Sequence, residues 1–210
     1  MFAITRKKRL AIIGCIVVLF LVAARIVYIN ATASNYKNET YQMGEWIALD
    51  GAFIQKSGEN TDGYFVKVND AKLLSYNEYI ELYGIDKRDK VDGLDKKTVV
   101  SLEVSIRNED NQDGYLNIFS FDLIPESKNN YLIRDADLWS TSEDNISSGE
   151  GELNTALGLV ENSEYTTRIP YAINDGTENY ERHQEELAQT EYEWVISNAP
   201  VRKVVKIIPS

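Results

Sequence analysis

One cysteine, one histidine and four prolines are all that 210 residues contain of those types. The lone cysteine, Cys15, excludes a disulfide within the chain, so the folded part must be held by an apolar core. His183 has no second histidine and no cysteine near it in sequence, which excludes a zinc site of the usual composition. No G-x-S-x-G, H-E-x-x-H or P-loop pattern occurs, so the common hydrolase, metalloprotease and nucleotide-binding signatures are missing. Positive charge is also scarce after the start of the chain. Five of the 22 basic residues and none of the 33 acids lie in the first thirty positions, leaving 17 against 33, a net of −16. Such a surface binds neither nucleic acid nor an anionic membrane through bulk electrostatics.

What is present begins at the amino end. Arg6 to Arg9 are four consecutive cations, and from Leu10 to Ile29 the only charge is Arg25. Twenty residues at about 1.5 Å each give a helix of roughly 30 Å, the thickness of a bilayer's hydrocarbon core. The positive-inside rule keeps the basic cluster cytoplasmic and places the rest outside. The reading is a basic stub over 1–9, a transmembrane signal anchor over 10–29, a polar linker over 30–43 and an extracytoplasmic domain over 44–210. A second reading is a secreted protein cleaved near Ala33, because Ala31-Thr32-Ala33 resembles a signal-peptidase site. Arg25 and the six residues after it make the gap to that site long. Ile12 to Cys15 mimics a lipoprotein box, but most of the apolar run follows the cysteine rather than preceding it. A disulfide-free extracytoplasmic domain behind a short basic terminus suits a Gram-positive bacterium. Sequons at Asn30, Asn38 and Asn145 matter only in a glycosylating host.

The domain reads as strands. Val100, Leu102, Val104 and Ile106 alternate with Ser101, Glu103, Ser105 and Arg107, the period-2 pattern of a half-buried strand. The same alternation marks 64–69, 165–171, 192–196 and 202–208, and weaker signals mark 45–49, 115–124, 131–138 and 153–160. Eight or nine strands of this kind predict an all-β sandwich. One helix is well marked: Ser75 is placed as N-cap, Glu78 completes a capping box, and Gly84 is expected at C′ with positive φ. Tyr76, Tyr79, Ile80 and Tyr83 share one face of it. A second, acidic helix is predicted over 178–188, with Glu181 and Glu185 repelling at i, i+4.

The stretch Asn108 to Asn117, "NEDNQDGYLN", is the best ligand candidate. Setting Gly114 at position 6 of an EF-hand loop makes Glu109, Asn111 and Asp113 the first calcium ligands, but Ser120 then stands where a bidentate Glu is needed. The turn reading explains more: Asp113-Gly114 is a hairpin dipeptide between two predicted strands. A related "NTDGY" at Asn60 to Tyr64 precedes another strand. Asp135 and Asp137, two apart on a predicted strand, are a conceivable pair of catalytic carboxylates. The thirteen tyrosines are read as strand and core residues, Tyr64, Tyr115, Tyr165 and Tyr192 among them.

The order "VSLEVSIRNEDNQDGYLNIFSFDLIPESKNNYLI", then "YTTRIPYAI", then "SNAPVRKVVKI" resembles the immunoglobulin-like extracytoplasmic domains of unknown function anchored to Gram-positive membranes. The shared features fall at Asn108 and Glu109, Phe121 and Leu123, and Ile169 and Pro170, and the likeness runs from about Gly44 to Ile208. Two departures are "ENSEYTT", where many such domains carry a Pro-Gly turn, and the acidic insert from Asp175 to Gln189. The resemblance implies an adhesive or accessory module and brings no catalytic residue and no cofactor. The expected function is therefore binding, to an envelope protein or a secreted peptide. The loops at one end of the sandwich and Asp175, Glu178, Glu181, Glu185 and Glu186 form the candidate surface. An immunity-type partner of an export system that captures cationic peptides is the alternative, and a wall-glycan hydrolase built on paired acids is a third.

Overall fold

The computed structural model describes residues 6–33, 37–55, 59–85, 97–126, 132–143, 156–173 and 180–210. The chain divides into two compact units, Met1–Lys37 and Asn38–Ser210. In the first, helix α1 spans Arg6–Ala33, longer at both ends than the apolar run because the basic cluster and the residues after Ile29 continue the same helix. Its stretch Ile12–Ile29 has a mean hydropathy of 2.8, and every side chain in it is exposed. That is the composition of a membrane anchor or a signal sequence.

The second unit is a β-sandwich. One sheet has the order β1-β11-β10-β6, comprising Lys37–Gln42, Val201–Ile207, Tyr192–Ser197 and Asp122–Pro125. The other has the order β2-β3-β4-β9-β7, comprising Ile47–Ala48, Tyr64–Ser75, Thr98–Asn108, Ser163–Ile173 and Leu132–Arg134. Two short strands, β5 (Leu116–Asn117) and β8 (Ala156–Leu157), pair separately. β4 is the spine of the fold, antiparallel to β3 on one side and β9 on the other. Its Val100, Leu102, Val104 and Ile106 are fully buried and meet Tyr192, Trp194, Ile196, Val205 and Ile207 of the facing sheet in one continuous core. Phe121 packs edge-on to Trp194 there, with ring centroids 5.3 Å apart. Each fully buried aliphatic side chain contributes about 1.5–3 kcal/mol relative to exposure.

The outer face of the five-stranded sheet is covered at one end by helix α2 (Tyr76–Tyr83), which buries Tyr76, Tyr79 and Ile80 against Val99, Leu138 and Ala172. Both bonds of the capping box form: Glu78 N donates to Ser75 Oγ at 3.2 Å, and Ser75 N donates to Glu78 Oε2 at 2.6 Å. Gly84 departs from expectation, since its φ of −63° is open to any residue. It is required by proximity instead, because a Cβ there would stand 2.6 Å from Ile80 O.

Several expectations are corrected. The polar linker contains β1, an edge strand whose exposed side chains show no apolar alternation for a sequence pattern to detect. Residues 115–124 are not one strand but β5, a 3-10 turn over Ile118–Ser120 and β6. Residues 131–138 break at Asp135, which caps helix α3 (Ala136–Ser140) by accepting from Leu138 N at 3.0 Å. Residues 153–160 contribute only β8 among the described residues. The acidic helix expected over 178–188 is present as α4, Tyr180–Ala188, where Arg182 pairs with Glu186 at 3.1 Å and Leu187 reaches the core.

Candidate functional site

The "NEDNQDGYLN" stretch does not close a hairpin. β4 ends at Asn108, and the chain then leaves its sheet: β5 pairs with β8, and β6 joins β10 in the opposite sheet. The loop is fastened by side chains because no ladder continues through it. Asn111, nearly buried, donates through Nδ2 to Asn60 O at 3.1 Å and Asp62 O at 2.6 Å. Its Oδ1 accepts from Asp113 N at 3.1 Å and Gly114 N at 2.5 Å. Asn108, fully buried, donates to Asn111 O and to Leu159 O, both at 2.7 Å, and accepts from Asn111 N at 2.8 Å. Tyr64 Oη donates to Gly114 O at 3.1 Å and accepts from Leu159 N at 3.0 Å.

Three residues thus tie three loops, 59–63, 109–115 and 158–162, into one crown at the end of the sandwich. The two D-G-Y segments meet face to face within it. Gly63, with φ of +75°, passes its carbonyl to Glu109 N at 2.9 Å. Gly114 has no left-handed φ; it is glycine because a Cβ would collide with Asn60 O and the Asn111 amide. Asn60, Asp62, Asp110, Asn111, Gln112 and Asp113 line an open hollow of about 360 Å³ on the crown. Val160, 79% exposed, stands on the third loop, and Tyr115, 38% exposed, follows Asp113 and Gly114 on the second. Tyr115 is therefore a surface residue and not the core residue expected.

Of the calcium candidates, Asn111 is engaged elsewhere in this structure. Both of its amide donors and its carbonyl oxygen are already used by backbone groups, which leaves the amide committed to holding the loop. Glu109 turns instead to Arg107, at 3.1 Å. Among the described residues no group of three or more His, Cys, Asp or Glu is placed to hold a metal. The Asp135 and Asp137 pair is likewise not on one strand face. Asp135 caps α3 and receives Lys97 Nζ at 2.6 Å, while Asp137 lies exposed in the first turn of that helix. Of the acidic surface candidates, Glu185 and Glu186 are exposed on α4. Asp175 and Glu178 lie outside the described residues, as do the side chains of Glu181 and His183.

Two clusters escaped sequence reasoning. On the outer face of the five-stranded sheet, Trp46 stacks with Lys67 at 4.5 Å and Arg107 at 4.4 Å, and Arg107 also lies 5.1 Å from the Phe65 ring. Arg107 borders a cleft of about 380 Å³ with Glu109, Asn162, Ser163 and Glu164. The second cluster centres on Lys203, which is buried. Its Nζ donates to Ala48 O at 2.5 Å, Leu49 O at 3.2 Å and Asp50 Oδ2 at 3.1 Å. A signal for it existed, since the alternation that sends Val205 and Ile207 inward sends Lys203 inward as well.

Burial raises the hydroxyl pKa of Tyr171, Tyr79, Tyr192 and Tyr165 above the ordinary tyrosine value; for Tyr165 a hydrogen bond to Glu143 adds to it. The Tyr41 hydroxyl is pushed up to about 12, first by burial and then by its bond to Glu39. These tyrosines stay neutral hydrogen-bonding groups at ordinary pH, and none lies in a constellation that needs a phenolate.

Over residues 38–203 the chain matches the family described as Domain of unknown function (DUF5028), and it belongs to that family. No curated protein matches it. Among solved structures it is similar to a conserved hypothetical protein from Bacillus anthracis, at 15% identity and a TM-score of 0.39, covering 76% of this chain and 95% of that one. It is also similar to an uncharacterized β-sandwich protein from Clostridium difficile 630, at 14% identity and a TM-score of 0.34, covering 81% of this chain and 96% of that one.

Proposed function

We propose that this family member is a binding module anchored by its amino-terminal helix, with Arg6 to Arg9 on the cytoplasmic side and the sandwich outside. Its partner is another envelope protein or a secreted peptide, engaged at the loop crown. The observation that carries this reading is the contrast within the crown. Asn108, Asn111 and Tyr64 are buried to hold the three loops still, while Val160 stands in water and Tyr115 is partly exposed, on loops that also expose Asp110, Asp113 and Glu161. Loops fixed before contact lose little conformational entropy on binding, which is how a rigid scaffold presents a recognition surface. A partner segment with an apolar residue flanked by Lys or Arg complements that composition.

The hydrolase reading loses its support because Asp135 is committed to a helix cap and to Lys97. The test is to place a photo-crosslinking residue at Tyr115, at Val160 and, as a control, at the exposed Leu82 of α2, in the full-length protein on cells of its own host. The crown positions are expected to capture one envelope protein or peptide through a basic segment, and Leu82 is not. Identical captures from all three positions, or none from the crown, contradict the proposal.

A further inference from the structure

We infer that Lys203 is a positioning residue for the loop crown and acts on it through the turn at residues 48–52. This rests on the crown being the binding surface, but its test reads the order of the crown and needs no partner. A lysine ammonium with only 4% of its side chain exposed requires a full set of acceptors. Lys203 finds them by drawing the chain around itself: the carbonyls of Ala48 and Leu49, the Asp50 carboxylate, and Glu39 of β1 at 3.9 Å.

The turn that results is one few sequences adopt. Asp50 and Gly51 are both left-handed, with φ of 53° and 71°. That conformation sets Gly51 against Asp62, whose Oδ1 lies 3.1 Å from where a Cβ on Gly51 would stand. It also aims the Ala52 carbonyl at Thr61, whose Oγ1 donates to it at 2.8 Å in a buried bond. Thr61 and Asp62 belong to the crown, and Asp62 O is an acceptor of the Asn111 amide. A contiguous path of polar contacts therefore runs from the ammonium through the turn and the 59–63 loop to the residue that fixes 109–115.

The experiment is hydrogen exchange with mass spectrometry on the full-length protein in nanodiscs, comparing wild type with Lys203→Met, Thr61→Val and the double variant. Lys203→Met keeps the stem and removes the charge, and is expected to speed exchange of amides 109–115 by about tenfold or more while the centre of β4 is unchanged. Thr61→Val cuts the path downstream, leaves Lys203 intact and is expected to loosen the same amides. If the two act in series, the double variant is no looser than the worse single one. Crown amides at wild-type rates in either variant, an equal rise across β4, or additive effects in the double variant would overturn the inference. Should Lys203→Met not fold, Thr61→Val set against Asp50→Asn reads the same path: both are expected to loosen 109–115, and an unmoved crown in either overturns it.

Discussion

Trp194 Nε1 donates to Tyr171 Oη at 2.7 Å, and the same hydroxyl donates onward to Phe121 O at 2.9 Å. Trp194 comes from one sheet and Tyr171 from the other, so this buried pair is a directional link between the two layers of the core. Tyr171→Phe keeps the ring and leaves the indole N–H without an acceptor, whereas Phe121 O keeps Arg134 Nη1. The expected loss of stability is about 1–3 kcal/mol, read as a lower urea midpoint at unchanged slope. A change below about 0.5 kcal/mol would show that the link carries no weight.

Gly114→Ala and Gly44→Ala separate proximity from backbone conformation. Gly44 is left-handed with φ of 86°, but open space surrounds its missing Cβ; Gly114 has an ordinary φ and no space at all. Alanine at 44 is expected to cost roughly 1–2 kcal/mol of backbone strain. At 114 it pushes on the backbone of the 59–63 loop and is expected to cost about 1–3 kcal/mol or more, with faster exchange across the crown. Equal effects on the crown from both variants would contradict the close approach of the two D-G-Y segments.

Alkaline pH is expected to unfold the sandwich through its tyrosines. In Tyr171, Tyr79 and Tyr192 burial raises the folded-state pKa above the ordinary value of 10. A raised value means that the unfolded chain releases these protons first, so their contribution to stability is whole below pH 10 and is lost as pH climbs from there toward the folded values. Melting temperature followed from pH 8 to pH 12 is expected to hold flat and then fall steeply past about pH 10. A fall that begins well below pH 10 would point to other groups.

Calcium is expected to leave the protein unchanged, because Asn111 is spent on backbone partners and Glu109 on Arg107. Melting curves in millimolar calcium and in chelator should superimpose. A reproducible calcium-dependent rise would mean that the acids of the crown reorganise around an ion and that Asn111 can be released.

Where a local rule was complete in itself, the sequence predicted the fold well. Alternation from Val100 to Ile106 is the core face of β4, although Ser101 and Ser105 on its other face are buried as well, and Ser75 with Glu78 is a capping box with both bonds made. Signals that depend on tertiary partners misled. Asp113-Gly114 has the composition of a hairpin turn, yet the strand after it belongs to another sheet, and nothing in a dipeptide specifies where the chain goes next. Asp135 interrupts a strand pattern because its carboxylate satisfies a helix N–H and a lysine 38 residues away. β1 was hidden because a polar edge strand has no apolar period. At the crown the sequence marks the loop as notable, but the ties from Tyr64 and Leu159 span 50 and 51 residues and belong to the folded state alone.

The central claim, that a rigid crown and not the sandwich as a whole makes the contact, is tested most directly by a matched pair of variants. Asn111→Ala unties the crown, and Tyr171→Phe weakens the core by a comparable amount, each expected to cost about 1–3 kcal/mol. Cross-linking yield from Val160 on host cells should then drop about tenfold for Asn111→Ala, the share of a pre-ordering cost near 1.4 kcal/mol, and stay at the wild-type level for Tyr171→Phe. Equal yields from the two variants would place the contact elsewhere on the molecule.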